Sequence, residues 1–256
     1  MSADESATSD LTDYLPTRGT RAAEENPYEL HGLALEAWLE RKFVMADEAV
    51  TLLAHNQPVL FSLRKPQNAD FLISEEDYVK DERLPYWADL WPAARLLATT
   101  ALEANGTGRS LLELGCGLGL PTTAAVRAGF AVTTTDYYED SLHMTRFNSW
   151  RVNGVEPAAR MVDWRALPED LGQFDIVMAA DVLYERPYGT LVAAAIAATL
   201  KPDGEAWIAD PGRSGLDVFL EQATVHGLRV ISREEFPYAE GERIRQTIRR
   251  FKLVRL

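Results

Sequence analysis

Residues Ser110–Asp136 read SLLELGCGLGLPTTAAVRAGFAVTTTD, and this stretch decides the fold. Ser110 to Leu114 is a short apolar run, the pattern of a strand buried on both faces. Gly115, Gly117 and Gly119 crowd the turn that follows, where Cβ atoms would obstruct the approach of a ligand to the backbone. Pro121 stands where a first helical residue stands, because its missing N–H costs nothing there. The spacing predicts a helix through Thr122 to Arg127 that Gly129 ends. Phe130 to Thr134 forms the next strand and Asp136 lies at its carboxyl end.

An acid at that place can accept hydrogen bonds from both hydroxyls of a ribose. The glycine spacing decides which nucleotide. A dinucleotide fingerprint needs G-x-G-x-x-G, and counted from Gly115 its third glycine is Leu120. A nicotinamide dehydrogenase is therefore disfavoured. What stands there instead is E-x-G-x-G-x-G. Glu113-Leu114-Gly115-Cys116-Gly117-Leu118-Gly119 resembles the first motif of class I, seven-strand, S-adenosylmethionine-dependent methyltransferases. That resemblance implies an α/β, Rossmann-like fold with a seven-stranded, mostly parallel sheet in the order 3-2-1-4-5-7-6 and helices on both faces. It implies S-adenosylmethionine as cofactor, with Gly115, Cys116, Gly117 and Gly119 as its loop and Asp136 on its ribose. Glu113 would orient the turn or meet the methionine ammonium.

Tyr137 follows the ribose-binding acid and is placed either beside the adenosine or simply half-exposed. A helix is expected from about Glu139 to Val152, ended by Asn153-Gly154, and a third strand over Ala158 to Asp163. By the same resemblance Trp164 packs on adenine, where stacking on an aromatic ring contributes about 1 kcal/mol. Asp163 is placed to accept from the adenine amino group. FDIVMAA, Phe174 to Ala180, is the strongest apolar run and the expected central strand, with Ala180 lining the pocket. It delivers Asp181-Val182-Leu183-Tyr184 to the carboxyl edge of the sheet, where open α/β sheets bind ligands. This D-x-x-Y resembles the signature after strand four in the seven-strand protein-lysine methyltransferases. Nucleobase and glutamine methyltransferases carry N/D-P-P-Y/F, and Val182 and Leu183 replace both prolines. A helix from Pro187, a turn at Lys201 to Gly204, a strand over Glu205 to Asp210, a helix over Leu216 to His226 and two strands over Leu228 to Phe236 and Arg243 to Leu253 complete the reading, the last two joined by a turn at Tyr238 to Glu242.

Upstream, Leu84-Pro85-Tyr86-Trp87-Ala88-Asp89-Leu90-Trp91-Pro92 precedes a helix through Leu96, Leu97 and Leu102. The string P-Y-W-A-x-L-W-P resembles the segment before the first motif in the same lysine methyltransferases, including those of the electron-transfer flavoprotein β subunit. There the second tryptophan, here Trp91, lies against the cofactor. Residues 1–26 are acidic and polar and are expected to be a disordered tail. Residues 27–83 are expected to pack on the core as an extension: a helical pattern from Pro27 to about Ala54 carried by Leu30, Leu33, Leu35, Trp38 and Leu39, then strands at Val59 to Leu63 and Phe71 to Ile73 around a turn at Lys65 to Asn68. Residues 84–256 are the expected methyltransferase domain.

The 256-residue chain carries a formal charge of −13, which disfavours nucleic acid as partner and suits a basic, lysine-bearing protein. A single cysteine excludes an intrachain disulfide, and four histidines without ligand-like spacing predict no metal site. No apolar run reaches the ~20 residues of a membrane span and the start lacks a signal-peptide pattern, so a cytoplasmic monomer without membrane partners is expected. The expected activity is methyl transfer to a lysine side chain of a protein, with Asp181 and Tyr184 holding the target amine. Transfer to a small molecule or another protein side chain, or a catalytically silent scaffold, remains open.

Overall fold

The computed structural model describes residues 25–72, 84–240 and 243–256. Two layers of helix enclose a seven-stranded sheet, and a helix with a β-hairpin precedes it in sequence. The N-terminal portion comprises α1 (Gly32–Lys42), β1 (Met45–Ala54) and β2 (Gln57–Pro66). The core follows as α2 (Pro92–Glu103), β3 (Ser110–Leu114), α3 (Leu120–Arg127), β4 (Ala131–Asp136), α4 (Glu139–Asn153), β5 (Ala158–Met161), β6 (Phe174–Ala180), α5 (Arg186–Thr199), β7 (Leu200–Asp210), α6 (Leu216–Val225), β8 (Leu228–Glu240) and β9 (Arg243–Arg255).

The sheet order is β5-β4-β3-β6-β7-β9-β8. Numbered within the sheet, this is 3-2-1-4-5-7-6, as expected, with β9 running antiparallel between β7 and β8. The order reverses between β3 and β6, so a crevice opens at their carboxyl ends. β3 and β6 are buried over nearly their whole length because helices cover both faces. Leu112, Leu114, Val177 and Ala179 face one layer with Val192, Ile196 and Phe219. Leu111, Ile176 and Met178 face the other with Leu97, Leu120 and Ala124. The turn expected at Lys201 to Gly204 falls inside β7, where the register jumps from Phe174↔Leu200 to Ile176↔Glu205. The residues between loop out while the strand continues.

The N-terminal portion departs from the sequence expectation. The long helical pattern stops at Lys42, and Met45–Ala54 is a strand. Val50, Leu52 and Ala54 are buried while their neighbours are exposed, a period of two that the apolar run hid. His55 and Asn56 both take positive φ, 49° and 58°, and close a two-residue hairpin with Ala54↔Gln57. The turn was expected later, at Lys65 to Asn68; a His-Asn pair tolerates the left-handed region but lacks the glycine that signals it. Leu33, expected on the buried helical face, is exposed, whereas Leu35, Trp38 and Leu39 are buried. In place of a strand at Phe71, Ala69–Leu72 is a short 3-10 turn, and Ile73 lies outside the described residues. The expected tail lies almost wholly outside them, and the expected terminal turn does so at residues 241 and 242.

Contacts at both ends seat this portion on the core, among them the packing of Leu35, Trp38 and Leu39 of α1 with Met144 and Phe147 of α4. Phe61 and Leu63 of β2 join the cluster under α2 and α3. Arg146 of α4, 4% exposed, donates to the carbonyls of Pro27 and Leu30 at 3.1 and 2.7 Å and pairs with Glu156 at 2.8 Å. A buried guanidinium with this many acceptors is expensive to leave unpaired, so the segment is held in one register.

Candidate active site

A cavity of ≈ 370 Å³ opens at the crevice. Its lining includes Trp91, Gly115, Gly117, Asp136, Tyr137, Asp163, Trp164, Ala180, Asp181 and Tyr184. The structure thus gathers ten of the thirteen expected site residues around one space. Glu113 and Cys116 line a smaller void beside it, together with Trp91 and Ala180. Gly119 lines neither.

The glycine turn explains the differences. Gly115, Gly117 and Gly119 all have positive φ, 73°, 53° and 80°. A Cβ on Gly115 would stand 2.8 Å from Val182 Cγ1 and 3.6 Å from the Trp164 ring, in the cavity wall. A Cβ on Gly119 would instead strike the Thr145 side chain at 2.6 Å. Gly119 was expected to give a ligand room, but the neighbour it makes room for is α4. Cys116 is buried behind the turn, its sulfur 3.3 Å from the hydroxyls of Ser141 and Thr145. Burial, and then the acids Asp136 and Glu113, push its thiol well above the usual range, so it is a packing group.

Asp136 faces the turn. Its Oδ2 accepts from the Gly117 N–H at 3.0 Å and the Ser141 hydroxyl at 2.7 Å, and its Oδ1 from the Tyr138 N–H at 3.0 Å. Burial raises its pKa against these bonds. One carboxylate joins the glycine turn to the start of α4 and keeps lone pairs on the cavity side. Glu113 is buried on β3, where its carboxyl accepts from the Thr122 hydroxyl of α3. Burial pushes it up to about 8, so it is largely protonated at neutral pH. Its bond is to the helix that follows the turn.

At the adenine end expected from sequence, Trp164 meets Tyr188 edge-on at 5.8 Å between centroids. Its Nε1 is buried without a hydrogen-bond partner among the described residues. Asp163 is engaged by Arg165, whose Nε lies 2.9 and 3.0 Å from its two oxygens and Nη2 2.8 Å from Oδ2. Arg165 also donates to the Tyr137 hydroxyl at 2.8 Å. Asp163 therefore has only its remaining lone pairs to offer an adenine amino group. Arg165 escaped the sequence reading, although an arginine two residues after an acid at a strand end is the available signal.

The opposite wall is aromatic. Tyr86 lies 6.0 Å from Trp91 and 5.6 Å from Tyr184, and Tyr184 lies 4.8 Å from Tyr188, all near edge-to-face. The Trp91 indole N–H donates to the Tyr86 carbonyl at 2.9 Å, fixing the ring at the start of α2. Desolvation of its hydroxyl among the neighbouring rings, and then the Tyr188 hydroxyl, push the Tyr184 hydroxyl above its usual range, although the residue as a whole is 39% exposed at the cavity mouth. Asp181, at the end of β6, has φ 57° and a side chain only 2% exposed. A non-glycine residue in that region is uncommon and marks a position that its surroundings hold in place. Asp181 Oδ1 accepts from Arg213 Nε at 2.7 Å, while Oδ2 is buried without a partner among the described residues. Arg213 and Tyr188 were not singled out from sequence; the D-P-G-R string at the end of β7, a turn at the same sheet edge, is the signal that reveals the first.

Residues 85–255 match the methyltransferase domain family, two thirds of the chain, and the chain belongs to that family. Ubiquinone biosynthesis O-methyltransferase of Bordetella avium is 36% identical over 113 residues, 42% of this chain and 44% of that protein. Protein-lysine methyltransferase METTL21E of Mus musculus is 30% identical over 116 residues, 40% of this chain and 47% of that protein. The chain thus spans less than half the length of these curated relatives. Among solved structures, magnesium protoporphyrin IX methyltransferase of Synechocystis with bound SAM superposes with a TM-score of 0.53 at 17% identity, covering 73% of this chain and 95% of that one. A TehB-like SAM-dependent methyltransferase of Corynebacterium glutamicum gives 0.50 at 20%, covering 66% and 89%. At these identities the likeness is one of fold, and the fold is that of the class I methyltransferases.

Proposed function

We propose that this chain transfers a methyl group from S-adenosylmethionine to the side-chain amine of a lysine in a protein. The cavity suits the cofactor in three respects. Gly115 and Gly117 bring backbone without a Cβ into the lining, Asp136 presents a buried carboxylate beside the turn, and the Trp164 Nε1 has no partner among the described residues. Asp136 would hold the ribose, the Gly115 and Gly117 backbone the adjoining sugar and methionine portions, and Trp164 the adenine. S-adenosylmethionine, when bound, supplies an electrophilic methyl on a good leaving group.

What remains for the protein is positioning and a dry site. The nucleophile must be a neutral amine, and a lysine has a solution pKa near ~10.4. Tyr86 and Tyr184 are exposed in the free protein, so it is the substrate's own packing against Tyr86, Trp91, Tyr184 and Tyr188 that would desolvate the amine, lower that value and favour the neutral form. Asp181 Oδ2 would accept an N–H of the amine, orient its lone pair and stabilise the ammonium that the transfer leaves behind. Tyr184, protonated, can donate to or accept from the same group but cannot act as a base. The observation that carries the reading is Asp181, a cavity-lining carboxylate at the end of the central strand beside aromatic rings, with one oxygen unpartnered among the described residues. An aromatic wall also suits a small ring substrate, and the relatives named ubiquinone biosynthesis O-methyltransferases favour that second reading.

The test supplies purified protein and labelled S-adenosylmethionine to a lysate of the source cells and maps the product by mass spectrometry. Methyl-lysine in a defined protein is the expected product. Label confined to solvent-extractable small molecules overturns the lysine assignment in favour of the second reading.

A further inference from the structure

The loop after β7 carries the loop after β6. The Gly215 N–H donates to the Leu183 carbonyl at 3.0 Å, and the Ser214 hydroxyl donates to the Tyr184 carbonyl at 3.0 Å. A Cβ on Gly215 would lie 2.6 Å from the Glu185 carbonyl, so at that point the two loops approach backbone to backbone. Asp210 fixes the supporting loop in turn: its Oδ1 accepts from the N–H groups of Gly212 and Arg213 at 2.6 and 2.7 Å. Gly212, φ 99°, leaves the space that Arg249 fills, since a Cβ there would meet Arg249 Nη1 at 2.2 Å. The backbone of Arg213 is thereby held before its side chain makes any contact.

That side chain reaches two of the groups lining the cavity. Its Nε donates to Asp181 Oδ1 at 2.7 Å, and its guanidinium carbon lies 5.3 Å from the centre of the Trp91 ring. The bond to Asp181, followed by the charges of Asp181 and Asp210, raises its own pKa, so it is a permanent cation. Asp181 sits in a backbone conformation that its residue type tolerates but does not prefer, and its carboxylate could turn about χ1 and χ2. A planar guanidinium fixed at one end and stacked over indole removes that freedom from one oxygen and leaves the other for the acceptor.

We infer that Arg213 is a positioning residue for methyl transfer, which holds Asp181 through Oδ1 so that Oδ2 can receive the acceptor amine. This rests on the assignment of Asp181 to the acceptor, and the experiment separates the two. Initial rates of label transfer from S-adenosylmethionine to the protein fraction of a source-cell lysate are measured for the full chain, for Arg213→Met, Arg213→Lys, Asp181→Asn and the Asp181→Asn/Arg213→Met double variant. Asparagine tolerates the same backbone region, so Asp181→Asn removes charge without new strain. Cofactor affinity by calorimetry accompanies each rate. Arg213→Met is expected to slow transfer by about 100-fold, the usual loss for one preorganised group, with the cofactor dissociation constant unchanged. Arg213→Lys is expected to recover part of the rate, and the double variant to be no slower than Asp181→Asn, because groups acting as a unit are non-additive. Wild-type rates in Asp181→Asn would remove Asp181 from the acceptor site and this inference with it. A slow Asp181→Asn beside an unimpaired Arg213→Met, or losses that multiply in the double variant, would overturn the role of Arg213 alone.

Discussion

The two walls of the cavity are built differently. On the glycine side, Asp136 in the wall, with Glu113 and Cys116 behind it, each have partners within the protein, and the turn is drawn tight by them. On the strand-end side, Asp181 Oδ2, and Asp210 Oδ2 outside the lining, are buried with no partner among the described residues, and Asp181 has a left-handed backbone. Unmade hydrogen bonds in a buried place cost about 1–3 kcal/mol each. We read the first wall as the holder of the cofactor and the second as the receiver of the acceptor.

The sharpest way to break this contrast lies within the glycine side itself. Gly119→Ala should lower the unfolding free energy by about 2 kcal/mol, from its positive φ and the overpacking against Thr145. It should leave cofactor affinity within about twofold, since its Cβ points at Thr145 of α4 and Gly119 does not line the cavity. Gly115→Ala, with positive φ and a Cβ 2.8 Å from Val182 Cγ1 in the cavity wall, should also lower stability and in addition weaken cofactor binding. Denaturant unfolding and titration calorimetry on both variants check this, and equal loss of affinity in the two would erase the distinction. Next in size, Asp136→Ala should weaken cofactor binding at least tenfold, about 1.4 kcal/mol. Unchanged affinity would show that Asp136 only braces the loop.

The smallest effect per unit sharpens the picture of Glu113. Its folded pKa, about 8, lies above the usual 4.5, so folding takes up a proton. The stability this group contributes is complete below the unfolded value and is lost as pH rises toward and through 8. The slope is at most about 1.4 kcal/mol per pH unit for one proton. Glu113→Gln should flatten that part of a stability–pH profile, measured by urea unfolding between pH 5 and 8, by roughly that slope. A profile identical to the wild type would mean that the Glu113 carboxyl is ionised in the fold.

Much of the core was legible because its signals are local. A strand, a glycine turn, a proline-started helix and an acid follow one another between Ser110 and Asp136 with little else competing for the same residues. The sheet order came with the resemblance. The hairpin of β1 and β2 was not legible, because Met45–Ala54 carries apolar residues that fit both a helix face and an alternating strand. What chose the strand is the pairing with Gln57–Pro66 and the burial of Phe61 and Leu63 under α2, contacts between distant parts of the chain. The same holds in the site. Gly119 and Gly115 look alike in sequence, and only the position of Thr145 on α4 separates a packing glycine from a lining one.

The chain's own letters therefore determined the class of fold, the glycine turn and the residues at the ends of β4 and β6, since strand, turn and cap propensities act between near neighbours. Which of those residues share a cavity, and that Arg213 reaches Asp181 from another strand's loop at 2.7 Å, was decided only when the parallel strands came into register. Register depends on burying whole faces at once, and no short window of sequence contains that sum.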